Sequence, residues 1–169
     1  VISTVKKHWD VFCLEGHRKH IRGFLFRVDT RAVEPICCKQ PRYGPHEAKV
    51  IDKMVQAMSK NGLLVDDTGP WGAMVVLAGK ANQEGIPWQD YVWRLCVSYR
   101  RLNQHTRPFA YPIPRCDDAV EGIPSWAKYF IAMDLDAGYW QIKADEATRH
   151  KLAFFVPGGK KTWSVMPMG

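Results

Sequence analysis

The sequence predicts an α+β fold built in layers, and three observations carry that prediction. Strand-like and helix-like runs mix along the 169 residues without the regular βαβ alternation of a parallel sheet. One helix, opening at Pro45, has both of its ends marked. Two pairs of strand-like runs flank Gly-containing tips, which is how antiparallel hairpins read in a sequence. Hydrophobic residues make up 46% of the chain, enough for a packed core and too much for a disordered one.

The elements follow in order. Residues 1–33 read as a lead-in: a short mixed segment, a basic turn "EGHRKH", and "IRGFLFRVDT", which alternates enough to be a strand. "PICCKQPRYGPHE" is a Pro-rich extended arm. The helix after it has Pro45 in its first turn, Glu47 at the positive end of its dipole and Gly62 past its last turn. Ile51, Met54, Val55 and Met58 keep helical spacing and belong to the core. "GPWGAMVVLAGK" is a turn and a strand, and "YVWRLCVSYRRLN" is a second strand. In the latter, Trp93, Leu95, Val97 and Tyr99 share one face, and Arg94, Cys96, Ser98 and Arg100 the other. "ANQEGIPWQD" between them is the tip of a long hairpin. "PIPRCDDAVEGIP" is a short helix ended by Pro124. "YFIAMDL" reads as a buried strand that breaks at Ala137-Gly138, and "KLAFFVPGGKKTWSVMP" as a hairpin turning at Gly158-Gly159.

Composition narrows the classes. The longest uncharged apolar run, "GPWGAMVVLAG", is too short for a helix across a bilayer, so no membrane role is expected. Five cysteines at irregular spacing read as reduced thiols of an intracellular protein. The net charge of +7 suits a polyanion, and residues 1–33 alone carry seven Lys/Arg against three acids. The chain starts at Val1 and stops at "SVMPMG" directly after a strand, which suggests an excerpt from a longer polypeptide.

Four features carry chemistry. Asp134 closes a strand ahead of a sharp turn, and two-metal phosphoryl transfer needs carboxylates on rigid strands; a turn aspartate is the commoner reading of the local pattern. Arg94 offers a guanidinium that grips phosphate oxygens, or a solvated hairpin face. Tyr139 can wall a sugar pocket or fill a core. The Gly-rich hairpin at 157–159 leads to "MPMG", bringing backbone near a substrate or merely turning. Asp66-Asp67 and Asp117-Asp118 imitate catalytic pairs. The first lies where helix gives way to loop, and the second in the first turn of a short helix, so neither is assigned a catalytic role. Cys13, His17, His20, Cys37 and Cys38 do not match a zinc spacing. His105 and His150 read as surface residues.

Taken in series, "TGPWGAMVVLAGK", "WRLCVSYRRLNQHT", "YPIPRCDDAV", "AKYFIAMDLDAGYWQI" and "KLAFFVPGGKKTWSVMPMG" resemble the first half of a reverse transcriptase of the gypsy-type LTR retrotransposon and retrovirus group. The resemblance runs from about Val28 to Gly169, with several motifs in the right order and spacing. It implies the fingers and part of the palm of a right-hand polymerase over residues 34–169, after a connector over 1–33. It implies that Asp134 is the first catalytic aspartate and metal ligand, with the Leu135 carbonyl beside it. By the same resemblance, backbone amides of Asp136 and Ala137 meet the triphosphate. Tyr139 stacks under the sugar and excludes a 2′-OH, Arg94 and Lys80 are the fingers cations, and Met168 lies beside the incoming nucleotide.

The chain departs from the family at Ser98, where an acid is usual, at Met168, commonly Phe or Gln, and in a longer hairpin tip. It also stops short of the family's Tyr-x-Asp-Asp box, which holds the other metal-binding carboxylates. The implied function is template-directed synthesis from dNTPs with two Mg²⁺ ions, on an RNA or DNA template with a primer. The implied partners include the rest of a polyprotein (remaining palm, thumb, RNase H), and the implied setting is a cytoplasmic virus-like particle with a nuclear stage. The rival reading is a non-catalytic relic or co-opted nucleic-acid-binding module. A group II intron-type polymerase fits "YPIP" and "MPMG" less well.

Overall fold

The computed structural model describes residues 2–9, 20–79, 85–87 and 92–168. Helix α1 covers Ile2–Lys7, and strand β1 covers only Leu25–Phe26 of the longer strand expected there. Helix α2 spans Pro45–Lys60. At its start the Gly44 amide donates to Glu47 Oε2 at 2.9 Å, the half of a capping box that glycine can make, with Pro45 in the first turn. The Asn61 and Gly62 amides close its end on Ala57 and Ser59 carbonyls, and Gly62 takes φ +69, a conformation that favours glycine. Ile51 and Val55 are its buried residues.

Strand β2, Leu64–Asp66, follows where the sequence suggested loop. It pairs antiparallel with β7, Gly159–Trp163, which also pairs with β6, Phe154–Val156. The order β2-β7-β6 makes a three-stranded sheet with β7 in the centre. Strand β3, Met74–Gly79, and β4, Trp93–Ser98, form the second antiparallel pair, with Ala78 opposite Arg94. The two sheets are tied at Ala73, whose amide donates to the Ala153 carbonyl at 2.8 Å and whose carbonyl accepts from Phe155 at 3.0 Å. Gly72 makes this contact possible: a Cβ there would lie 2.6 Å from the Phe155 ring.

The alternation read in β4 holds. Val97 and the adjoining Tyr99 are buried while Arg94 and Cys96 are exposed. Strand β4 ends at Ser98, however, and "RRLNQH" is helix α3, Arg100–His105, so Arg100 does not share a strand face with Arg94. Leu102 is the buried residue that docks α3. Helix α4, Cys116–Glu121, starts with Asp117 and Asp118 in its first turn, as expected.

The core gathers Ile51, Val55, Leu63, Leu64, Trp71, Val75, Val97, Tyr99, Phe154, Val156, Trp163 and Val165 around the three-stranded sheet. Tyr99 is locked there. Its hydroxyl donates to the Leu152 carbonyl at 2.7 Å, and burial pushes its pKa up. Val28 and Thr30, inside the segment read as lead-in, are also buried, and β1 runs parallel to β5, Lys143–Ala144.

One prediction fails outright. "YFIAMDL" is neither strand nor buried: Tyr129 is 91% and Met133 86% exposed, and residues 127–135 form no ladder. A strand needs a neighbour for its backbone groups. Among the described residues none pairs with this stretch, so its apolar pattern stays open. Among the described residues, no helix is long and apolar enough to cross a membrane.

Candidate functional site

The turn after Asp134 is the local centre of the site. Asp134 is exposed and lies outside any helix or strand, and its Oδ1 accepts the Leu135 amide at 2.9 Å. Ala137 then adopts φ 46, ψ 50, a left-handed conformation that costs a non-glycine residue about 1–2 kcal/mol. A 3₁₀ turn, Gly138–Gln141, follows, closed by the Trp140 amide on the Ala137 carbonyl at 2.8 Å. Gly138 keeps the bend tight, since a Cβ there would meet Leu135 Cβ at 3.2 Å. Asp134 and Tyr139 thus stand at either end of one sharp bend.

The chain after the bend brings in the second part of the site. The Met166 amide donates to the Ile142 carbonyl at 2.8 Å, and the Ala144 amide to Ser164 at 2.9 Å. This pairing sets the "VMPM" run beside the Tyr139 bend. Between them opens a cleft of about 560 Å³, whose walls include Tyr139, Met166, Pro167, Asn103, Arg107 and Phe109. Tyr139 is 53% exposed. Two other open hollows, of about 510 and 590 Å³, lie around His20 and Lys143 and contain none of the predicted site residues.

The structure therefore brings Tyr139 together with the residues just before Met168, which is itself exposed. Arg94 is exposed on β4 and does not line that cleft. Lys80 and Gly169 lie outside the described residues, as do Cys13 and His17. Asn103, Arg107 and Gln141 were not singled out by sequence. A cleft-lining Asn or Arg after a short helix leaves no spacing signal, and the role of Gln141 depends on a contact five residues back.

The rejected aspartate pairs have structural partners. Asp67 sits 3.3 Å from the Lys160 ammonium in a largely buried ion pair, and Lys160 also donates to the Gly69 and Trp71 carbonyls. Asp66, at the end of β2, pairs with Lys161 at 2.7 Å. Asp117 is 3.8 Å from Arg115, and Asp118 accepts the Arg115 amide. His150 is half-buried against the edge of Trp71 rather than fully on the surface.

No protein-family model matches the chain. It is 33% identical over 144 residues to a retrovirus-related Pol polyprotein from transposon 297 of Drosophila melanogaster, covering 84% of this chain and 13% of that protein. It is 26% identical over 169 residues to the polyprotein from transposon 412 of the same fly, covering 99% and 13%. Among solved structures, the prototype foamy virus protease-reverse transcriptase matches 99% of the chain and 22% of its own length, with a TM-score of 0.76 and 21% identity. A foamy viral protease-reverse transcriptase in complex with an RNA/DNA hybrid matches with a TM-score of 0.72 and 16% identity, over 99% of this chain and 22% of that one. The chain is a relative of the gypsy-type Pol polyproteins with the fold of a reverse-transcriptase fragment. It spans about 13% of the length of the curated relatives it matches.

Within this partial reverse-transcriptase fold, the donors present suit a hard divalent cation on one side only. Asp134 offers an exposed carboxylate and Leu135 a neighbouring carbonyl, the oxygen donors that Mg²⁺ prefers. Among the described residues, no group of three or more His, Cys, Asp or Glu could enclose a metal ion.

Proposed function

We propose that residues 34–169 are the fingers and first part of the palm of an RNA-directed DNA polymerase, preceded by a connector over residues 1–33, within a retrotransposon polyprotein. The observation that carries this reading is the single bend that sets the exposed Asp134 and Tyr139 at its two ends, with Tyr139, and not Asp134, lining a cleft shared with Met166 and Pro167. Its volume falls in the range of small-molecule sites.

The reaction is attack of a primer 3′-hydroxyl on the α-phosphate of a dNTP, with pyrophosphate leaving. Asp134 and the Leu135 carbonyl are the residues of this chain that would hold Mg²⁺, and the bound metal would supply charge neutralisation at the phosphate. Tyr139 packs under the sugar and leaves no room for a 2′-OH. The Asp136 and Ala137 amides face the triphosphate, Arg94 and Lys80 supply its cations, and Met168 flanks the base. The remaining carboxylates come from the later part of the polyprotein, together with the rest of the palm, the thumb and RNase H. By itself this chain does not extend a primer. Template and primer are held chiefly through phosphates, so binding weakens with salt. The working compartment is the cytoplasm, in a virus-like particle with a nuclear stage.

In the full-length polymerase, Asp134→Asn abolishes primer extension and leaves template-primer binding largely intact; near-normal extension would sink the assignment. Tyr139→Ala raises ribonucleotide incorporation, and unchanged sugar discrimination counts against the sugar-gate role. The departures at Ser98 and Met168 favour a relic without activity as the second reading. Primer extension by the unmutated polymerase excludes it.

A further inference from the structure

Gln141 makes a contact that the polymerase reading does not use. Its Nε2 donates to the Asp136 carbonyl at 2.8 Å, spanning the bend from its far side. That carbonyl belongs to the same planar peptide as the Ala137 N–H, and in a trans peptide the two groups point in opposite directions. Fixing one therefore fixes the other. The Ala137 carbonyl on the next peptide is held by the Trp140 amide at 2.8 Å. Both peptides flanking the left-handed Ala137 are anchored, which is how a costly conformation persists at a functional bend. Among the described residues, no protein group accepts the Ala137 N–H, so the donor is available to a ligand.

We propose that Gln141 is a positioning residue for the incoming nucleotide: by holding the Asp136 carbonyl it aims the Ala137 amide at the triphosphate. The proposal rests on the polymerase reading above. It concerns phosphate contact alone, so its effect does not depend on the base or on the template.

The test uses Gln141→Met, which keeps length and loses the donor, and Gln141→Glu, which places an acceptor against the carbonyl. In the full-length polymerase both raise the KM for dNTP about tenfold, equally for all four bases. kcat, template-primer affinity and Tm stay close to the parent values. Gln141→Lys, which restores a donor, recovers most of the loss. An unchanged KM in active variants overturns the role of Gln141. A fall in kcat, template affinity and Tm together assigns it to structure alone and also overturns it. If Asp134→Asn extends primers normally in the same assay, the polymerase reading fails instead.

Discussion

Phe154 is fully buried while Tyr129 is 91% exposed, although both sit in short runs of aromatic and aliphatic residues. The run around Phe154 has neighbours on every side: β7 pairs with β6, Ala73 bridges to it, and Trp163 packs at a ring distance of 5.7 Å. The run from Phe109 to Leu135 has none of these. Phe109 is 89% exposed, and residues 108–136 include no strand and only the short helix α4. An apolar pattern thus becomes a strand only where another segment satisfies its backbone and covers its side chains. The catalytic candidate Asp134 lies on the uncovered side of this divide.

The contrast can be broken most forcefully in the packed region. Phe154→Ala in this chain lowers unfolding free energy by about 3–5 kcal/mol, whereas Tyr129→Ser changes it by less than about 0.5 kcal/mol. Urea denaturation of the two variants measures the difference, and equal losses would mean that the open segment is packed after all. Next in size is the Lys160 clamp. Lys160→Met strands the mostly buried Asp67 and two carbonyls, costing about 3 kcal/mol. Lys161→Met removes a pair whose Asp66 is 87% exposed, and its cost stays below about 1 kcal/mol. Thermal melts of both variants separate the two pairs.

The smallest effect is electrostatic. The Ala147 amide holds the Asp145 carboxyl below the usual carboxylate range; burial opposes it, and Arg27 at 2.6 Å adds to the lowering. A carboxyl depressed in the folded state contributes stability above its unfolded pKa of about 3.9 and loses it as pH falls through the folded value. Acid titration of stability below about pH 4 therefore includes a contribution that Asp145→Asn removes.

Much of the packed region could be read from the sequence because its signals are local. Pro45, Glu47 and Gly62 mark both ends of α2, period-two alternation marks β4, and the glycines at 158–159 mark the β6–β7 turn. What escaped reading depends on distant partners. Strand β2 has three residues, and its mate β7 lies about a hundred positions later, so Asp66 looked like loop. The start of α3 at Arg100 was hidden because Tyr99 continues the strand's alternation for one more residue. For the candidate site, the motif series pointed to Asp134, Tyr139 and the "VMPM" run. It could not give the left-handed Ala137 or the Gln141 contact, which exist only once the bend has formed.

The most direct test sets the two aspartates of "DLD" side by side in the full-length polymerase. Under the proposed function, Asp134 binds metal through its carboxylate and Asp136 acts through its backbone alone. Primer extension with Mg²⁺ is measured for Asp134→Asn and Asp136→Asn at matched template-primer occupancy. The account predicts no extension from the first and close to parental extension from the second. Equal loss in both, or activity retained by Asp134→Asn, would contradict it.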